Sequence, residues 1–271
     1  MQPSMARPNP QVSTDRVSLG RLADPLRDIA RGGLAGLLTG ILVAGIGGRI
    51  VMRAAALLVP EAAGQFTENG NRIGEITLSG TMGLVLAGGL FFGLFGAVVW
   101  VVVSPWIPGG TRTRAVLAMP IAIGLTGIAL VQARNPDFQV LRHDSTTVGL
   151  LLALVALAGL TIAAFDAWLD RRLPGAGASG RADGVYLALT VAGSGLIFPI
   201  VLAGYLGEER PLGLALVGVG IATMIHWTFR YRRRRTPPTW LVIAGRGSLL
   251  VAFLLGVLAL APDLASALGA S

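Results

Sequence analysis

The chain has 271 residues, 53% hydrophobic and only 13% charged, about half the charge of a water-solvated domain. Its 22 basic residues are all arginine, against 14 acidic residues, and cysteine is absent. This composition excludes a soluble globular enzyme, disulfides, thiol redox relays and thiolate metal sites; the lack of lysine excludes a retinal-type Schiff base.

The apolar residues fall in long runs separated by short polar loops, which predicts an all-α, polytopic membrane helix bundle of about seven transmembrane helices. Residues 1–31 are polar and rich in proline and serine at first, a partly disordered N-terminal segment. Toward its end Leu22, Leu26 and Ile29 share a helical face among Arg16, Arg21, Arg27 and Arg31. That pattern fits either a basic amphipathic stretch lying on anionic lipid or a solvated extension of the first helix.

Helix one is predicted over 32–59, with Gly32, Gly36, Gly40, Ala44 and Gly48 every fourth residue. Helix two covers 81–103, with Gly89, Gly93 and Ala97 in the same spacing. Small residues four apart lie on one face and admit a close backbone neighbour, so these two helices are natural partners. The remaining helices are predicted over 115–131, 147–169, 184–206, 212–229 and 240–261, the last ended by Pro262. The bundle therefore spans 32–261, followed by an outer tail over 262–271. Helix five has the most irregular pattern: Gly193-Ser194-Gly195 precedes Pro199, which cannot donate to the carbonyl four residues back. Broken helices of this kind mark binding sites in many transporters.

Charge sets the expected orientation. With the N-terminus in the cytoplasm and the C-terminus outside, fifteen arginines fall on inner segments, four on outer loops and three within apolar runs; the positive-inside rule favours this sense strongly. All five tryptophans sit at inner helix ends, where indoles anchor at headgroups. A pI of 11.4 would suggest nucleic acid in a soluble chain, but arginines placed at alternate helix ends are a topology signal, and no nucleic acid partner is expected. The expected partners are the bilayer, anionic lipids at the cytoplasmic face, and another membrane protein or a second copy of the chain. The expected setting is a bacterial inner membrane.

Ionisable groups within apolar runs are the first functional candidates. Arg246 in Ala244-Gly245-Arg246-Gly247-Ser248, Asp166 on a face with Gly159, Ala163 and Asp170, and His226 one turn before Arg230 lie at similar depth. A cluster of the three, with Asp166 paired to Arg246, would satisfy each charge. Arg49 and Arg53, one turn apart near the outer end of helix one, could anchor a polar or anionic ligand beside the charged outer loops. Ser194 between glycines, followed one helix later by His226, gives a weak serine-dyad pattern at mismatched depths. The two histidines, His143 and His226, are too far apart in the topology to sandwich a haem. No metal-ligand spacing or phosphate-cradling loop occurs, and no cofactor is expected. Three readings follow: a small-solute or lipophilic-substrate transporter or binding protein, an accessory subunit packing through glycine faces, and a membrane-embedded enzyme acting on lipid.

Overall fold

The structure is a computed structural model that describes residues 11–60, 64–65, 78–131, 145–193, 197–208, 210–232 and 236–268. Regular structure among these residues is entirely helical. The first helix begins well before the apolar run. Helix α1 (Gln11–Thr39) continues through an eight-residue π-helical segment, Gly40–Gly47, into α2 (Gly48–Leu58). The π segment reads Gly-Ile-Leu-Val-Ala-Gly-Ile-Gly. Its glycines leave room for the wider turn, and the Gly48 N–H at its end reaches the Val43 carbonyl five residues back. Residues 15–31 are helical and continuous with the first apolar run.

A second long helix is built the same way. Helix α3 (Leu78–Gly83) passes through a π segment, Leu84–Gly89, into α4 (Leu90–Val103). A 3-10 turn at Ser104–Trp106 and Gly109, at φ +93°, then turn the chain into α5 (Thr111–Thr126). Helix α6 (Ser145–Arg172) follows. Helix α7 (Gly180–Ala192) is capped by Ser179, whose hydroxyl accepts from the Ala182 N–H at 3.2 Å. Then come α8 (Phe198–Glu208), α9 (Arg210–Trp227) and α10 (Thr239–Ala267). Pro262, expected to end the last helix, lies inside α10. It forfeits one bond, to the carbonyl four residues back, and the helix resumes beyond it.

Six helices among the described residues are long and apolar enough to cross a membrane: Ala23–Leu58, Gly80–Trp106, Thr111–Ala129, Ser145–Arg172, Arg210–Tyr231 and Thr239–Ser266. Where a seventh span was expected at 184–206, α7 and α8 stand on either side of residues 194–196, which are outside the described residues; neither helix spans alone. The outward surface agrees with a lipid surround. Ile50, Leu214 and Leu258 are each about two-thirds exposed (66%, 64% and 67%), where a water-facing helix would carry charge. Six apolar helices with this surface make the chain a multi-pass membrane protein.

The expected pairing of the first two spans is present, and glycine causes it. A methyl group on Gly36 would lie 2.6 Å from the Gly93 carbonyl oxygen. One on Gly40 would lie 2.6 Å from the Gly93 nitrogen and would strike the Gly89 carbonyl. The two backbones touch where the small residues repeat, and the two π segments pack on each other. A second close approach joins α5 to α6, where a methyl on Gly159 would come within 2.8 Å of both the Ala118 carbonyl carbon and Ala122 Cβ. Helix α1 also runs along α6 and α7, and this places its basic turns against the acidic end of α6.

Candidate functional site

At the arginine-rich end of the bundle, α1 and α6 are cross-linked by charge. Arg31 donates from Nε to Asp166 Oδ1 at 2.7 Å and from Nη1 to Asp170 Oδ1 at 2.5 Å, and its Nη1 lies 3.3 Å from Asp28 Oδ1. Arg27 donates to Asp170 Oδ1 at 2.9 Å, to the Asp170 carbonyl at 2.8 Å and to the Pro174 carbonyl at 3.0 Å. Tyr231 donates its hydroxyl proton to Asp28 Oδ2. Asp166 and Asp170 are four residues apart and so share a face of α6; Arg27 and Arg31 do the same on α1, which gives two arginines meeting two aspartates. Asp166 is buried, as its helical face predicts.

Beside this cluster lies a polar cavity of about 230 Å³. Arg31, Arg114 and Arg230 face it against Asp28 and Asp166, together with His226, Trp100 and Ser104. The three arginines outnumber the two carboxylates by one; Arg31 bridges both carboxylates, and Arg114 also lies within electrostatic reach of Asp166. Arg114 donates from Nη2 to the Ser104 carbonyl, while its Nε is buried with no acceptor among the described residues. Trp100 Nε1 likewise has no acceptor, and His226 Nδ1 no hydrogen-bond partner, among the described residues, though both are buried. His226 also packs edge-on to Trp106, with ring centroids 5.3 Å apart. Buried polar atoms of this kind are uncommon and call for an explanation.

A second cavity, about 330 Å³ and partly open, adjoins the first. It lies between α1 with its π segment, α4, α5 and α6, and its lining is almost wholly apolar: Val43, Phe92, Leu125, Leu154 and Ile162 are typical. Glycines 36, 40, 93, 96 and 159 thin its walls. Two of its lining residues carry polar groups, Thr39 and Trp100, each buried (5% exposed) with its polar atom unbonded among the described residues. The size falls at the lower end of the ~300–1,000 Å³ typical of small-molecule sites, which pair an apolar lining with a few placed polar groups.

The candidates from sequence divide. Asp166 and His226 do share a cavity. Arg246 does not join them: it is exposed on α10, and the partner of Asp166 is Arg31. The physical reason lies in the neighbouring glycine. Gly245 is buried because a methyl there would strike the Trp106 ring, so the stretch 244–248 fits an indole and turns Arg246 outward. Arg49 is buried (8% exposed), with no acceptor for its Nε among the described residues, and Arg53 is exposed. Ser194 and the charges of the first two outer loops lie outside the described residues, whereas Arg210 opens α9. The tryptophans also divide: Trp168 and Trp240 are exposed, as headgroup anchors would be, whereas Trp100 and Trp106 are core residues. Trp106 Nε1 donates to Thr223 Oγ1 at 2.8 Å, and Thr223 donates onward to the Val102 carbonyl at 2.7 Å.

Sequence reasoning missed Arg27, Arg31 and Arg114 as site residues because each sits at the end of an apolar run and reads as a topology charge. The i,i+4 match of Arg27 and Arg31 to Asp166 and Asp170 was the available signal. Comparison with protein-family models, with curated proteins and with solved structures finds no match for this chain.

Proposed function

We propose that the protein binds a lipophilic molecule drawn from the bilayer and holds it inside the helix bundle, as a transporter or membrane-embedded binding protein. The observation that carries this reading is the apolar cavity of about 330 Å³ with the unbonded Thr39 and Trp100 groups in its walls. A cavity lined only by hydrocarbon would suit acyl chains without preference; two placed polar groups give a ligand an orientation. The π segments Gly40–Gly47 and Leu84–Gly89 support the same reading, since π-helical turns are frequent at functional sites. In this proposal the arginine-rich end faces the cytoplasm of a bacterial inner membrane.

The accessory-subunit reading loses its main support, because the small-residue stripe of the first span packs on the second span of the same chain. The lipid-enzyme reading has one specific point in its favour, the buried, unbonded Nδ1 of His226 in the polar cavity, a position suited to proton transfer.

The test uses Gly96. It lines the apolar cavity, and a methyl added there meets nothing within 4 Å. Gly96→Leu therefore fills the cavity while keeping the helix. Protein purified in mild detergent with native lipid should carry a defined lipophile by mass spectrometry, and Gly96→Leu should lose it. Equal recovery of bulk lipid from both would overturn the reading; turnover of the bound species would favour the enzyme. Orientation is tested separately: Ser145→Cys and Ala178→Cys flank α6 in a chain without native cysteine, and should be labelled from outside and inside respectively.

A further inference from the structure

The polar and apolar cavities are stacked, and the helices show it. On α1 the lining passes from Gly32 in the polar cavity to Gly36 in the apolar one. On α5 it passes from Arg114 to Ala118, and on α6 from Asp166 to Ile162. Each step is four residues, one helical turn along the bundle axis. Trp100 belongs to both linings, and its buried indole N–H is unbonded among the described residues. A single elongated molecule can therefore have its chain in one cavity and its head in the other.

The chemistry of the head follows from what the polar cavity has to offer. Its two carboxylates are held by Arg31, and Asp28 also accepts from Tyr231. Among the described residues the unbonded donors are Arg114 Nε and Trp100 Nε1, with the His226 ring and the Arg230 charge also on the lining. Unbonded donors and a surplus of positive charge suit an oxyanion with several acceptor oxygens. A cationic or zwitterionic head would bring an ammonium toward Arg114 and Arg230. A neutral alcohol would leave most of the donors unsatisfied.

Resting on the lipophile reading above, we propose that the ligand is an anionic amphiphile, a phosphate ester of a long hydrocarbon chain, with its phosphate on Arg114 and Trp100 and its chain in the glycine-walled cavity. Arg31 shapes this site indirectly: it pairs with Asp28 and Asp166 and offsets part of their charge, and three arginines against two carboxylates leave a net positive lining for the phosphate.

The test offers dodecyl phosphate, dodecanol and inorganic phosphate to the full-length protein in phosphatidylcholine nanodiscs, with bound species counted by native mass spectrometry. Wild type should bind dodecyl phosphate at least about ten-fold more tightly than either fragment, the effect expected of one buried charge-assisted hydrogen bond. Arg114→Gln should reduce dodecyl phosphate to the level of dodecanol and leave dodecanol unchanged, and Arg114→Lys, which keeps the charge, should retain part of the preference. Gly96→Leu should abolish both chain-bearing probes. Equal binding of dodecyl phosphate and dodecanol in wild type overturns the headgroup assignment and leaves the lipophile reading intact. Indifference of both chain-bearing probes to Gly96→Leu overturns both. Equal binding of inorganic phosphate and dodecyl phosphate would show a free-anion site and overturn the amphiphile.

Discussion

Arg31 and Arg49 lie on one continuous helix, about 27 Å apart along its axis, and they satisfy their charges in opposite ways. Arg31 is surrounded by Asp28, Asp166 and Asp170, all within 3.3 Å. Arg49 is more deeply buried, and among the described residues nothing accepts from its Nε. Burying an unpaired guanidinium is costly, whereas a paired and hydrogen-bonded one can tie two helices together. The same residue type thus acts as a clamp between α1 and α6 at one end, and at the other it has no acceptor for its Nε among the described residues. The clamp also bears on the charge of the polar cavity, because Arg31 offsets part of the charge of Asp28 and Asp166.

The sharpest way to break this comparison is to remove the carboxylate. Asp166→Ala leaves Arg31 beside Asp28 and the half-exposed Asp170 only, and should destabilise the protein by about 3 kcal/mol, the scale for losing one partner of a buried ion pair. Thermal unfolding in detergent measures it. A double-mutant cycle with Arg31→Met should show strong coupling, and the same cycle with Arg246→Leu should be additive. Coupling of Asp166 to Arg246 instead would restore the pairing that the sequence suggested. Next in size is Gly40→Ala. Its methyl would enter the backbone of the second span at Gly89 and Gly93, and overpacking of this kind costs about 1–3 kcal/mol. Gly96→Ala on the facing helix meets nothing and should be neutral or mildly stabilising. If both alanines behave alike, the backbones do not touch where the structure places them.

The contrast between these two glycines shows what was legible in the sequence. Period-four glycine and alanine in the first two spans predicts a close pair, and Gly36, Gly40 and Gly93 form one. The face shared by Gly159, Ala163 and Asp166 predicts that the aspartate is buried, and it is. What failed was partner choice. Similar depth suggests a pairing of Asp166 with Arg246, but depth along a span does not fix which way a helix is rotated. The rotation of α10 is set by the bulk of Trp106 against Gly245, a contact between distant segments that no local pattern encodes. The cavities were illegible for a related reason. Their walls come from five helical spans, and the glycines that open them read only as packing residues until the neighbours are known.

Arg49→Met sharpens the comparison from the other side. With no partner among the described residues, replacement of the guanidinium by an apolar side chain of similar length should raise stability by about 1 kcal/mol, whereas Arg31→Met should lower it. A loss at position 49 as large as that at position 31 would mean that an anionic group does face Arg49.

Arg246→Leu is expected to have the smallest effect. The side chain is exposed and lies about six residues into α10, close enough to the helix end for the guanidinium to reach the interface while its stem covers apolar surface. Its replacement should change stability by less than about 0.5 kcal/mol and leave lipophile binding as in wild type. The position still discriminates, because Gly245 next to it does not tolerate change: Gly245→Ala would drive a methyl into the Trp106 ring and, through Trp106, strain the bond to Thr223 that joins α9 to the second span. A severe Gly245→Ala beside a silent Arg246→Leu would show that this stretch matters for the indole it accommodates and not for the charge it carries.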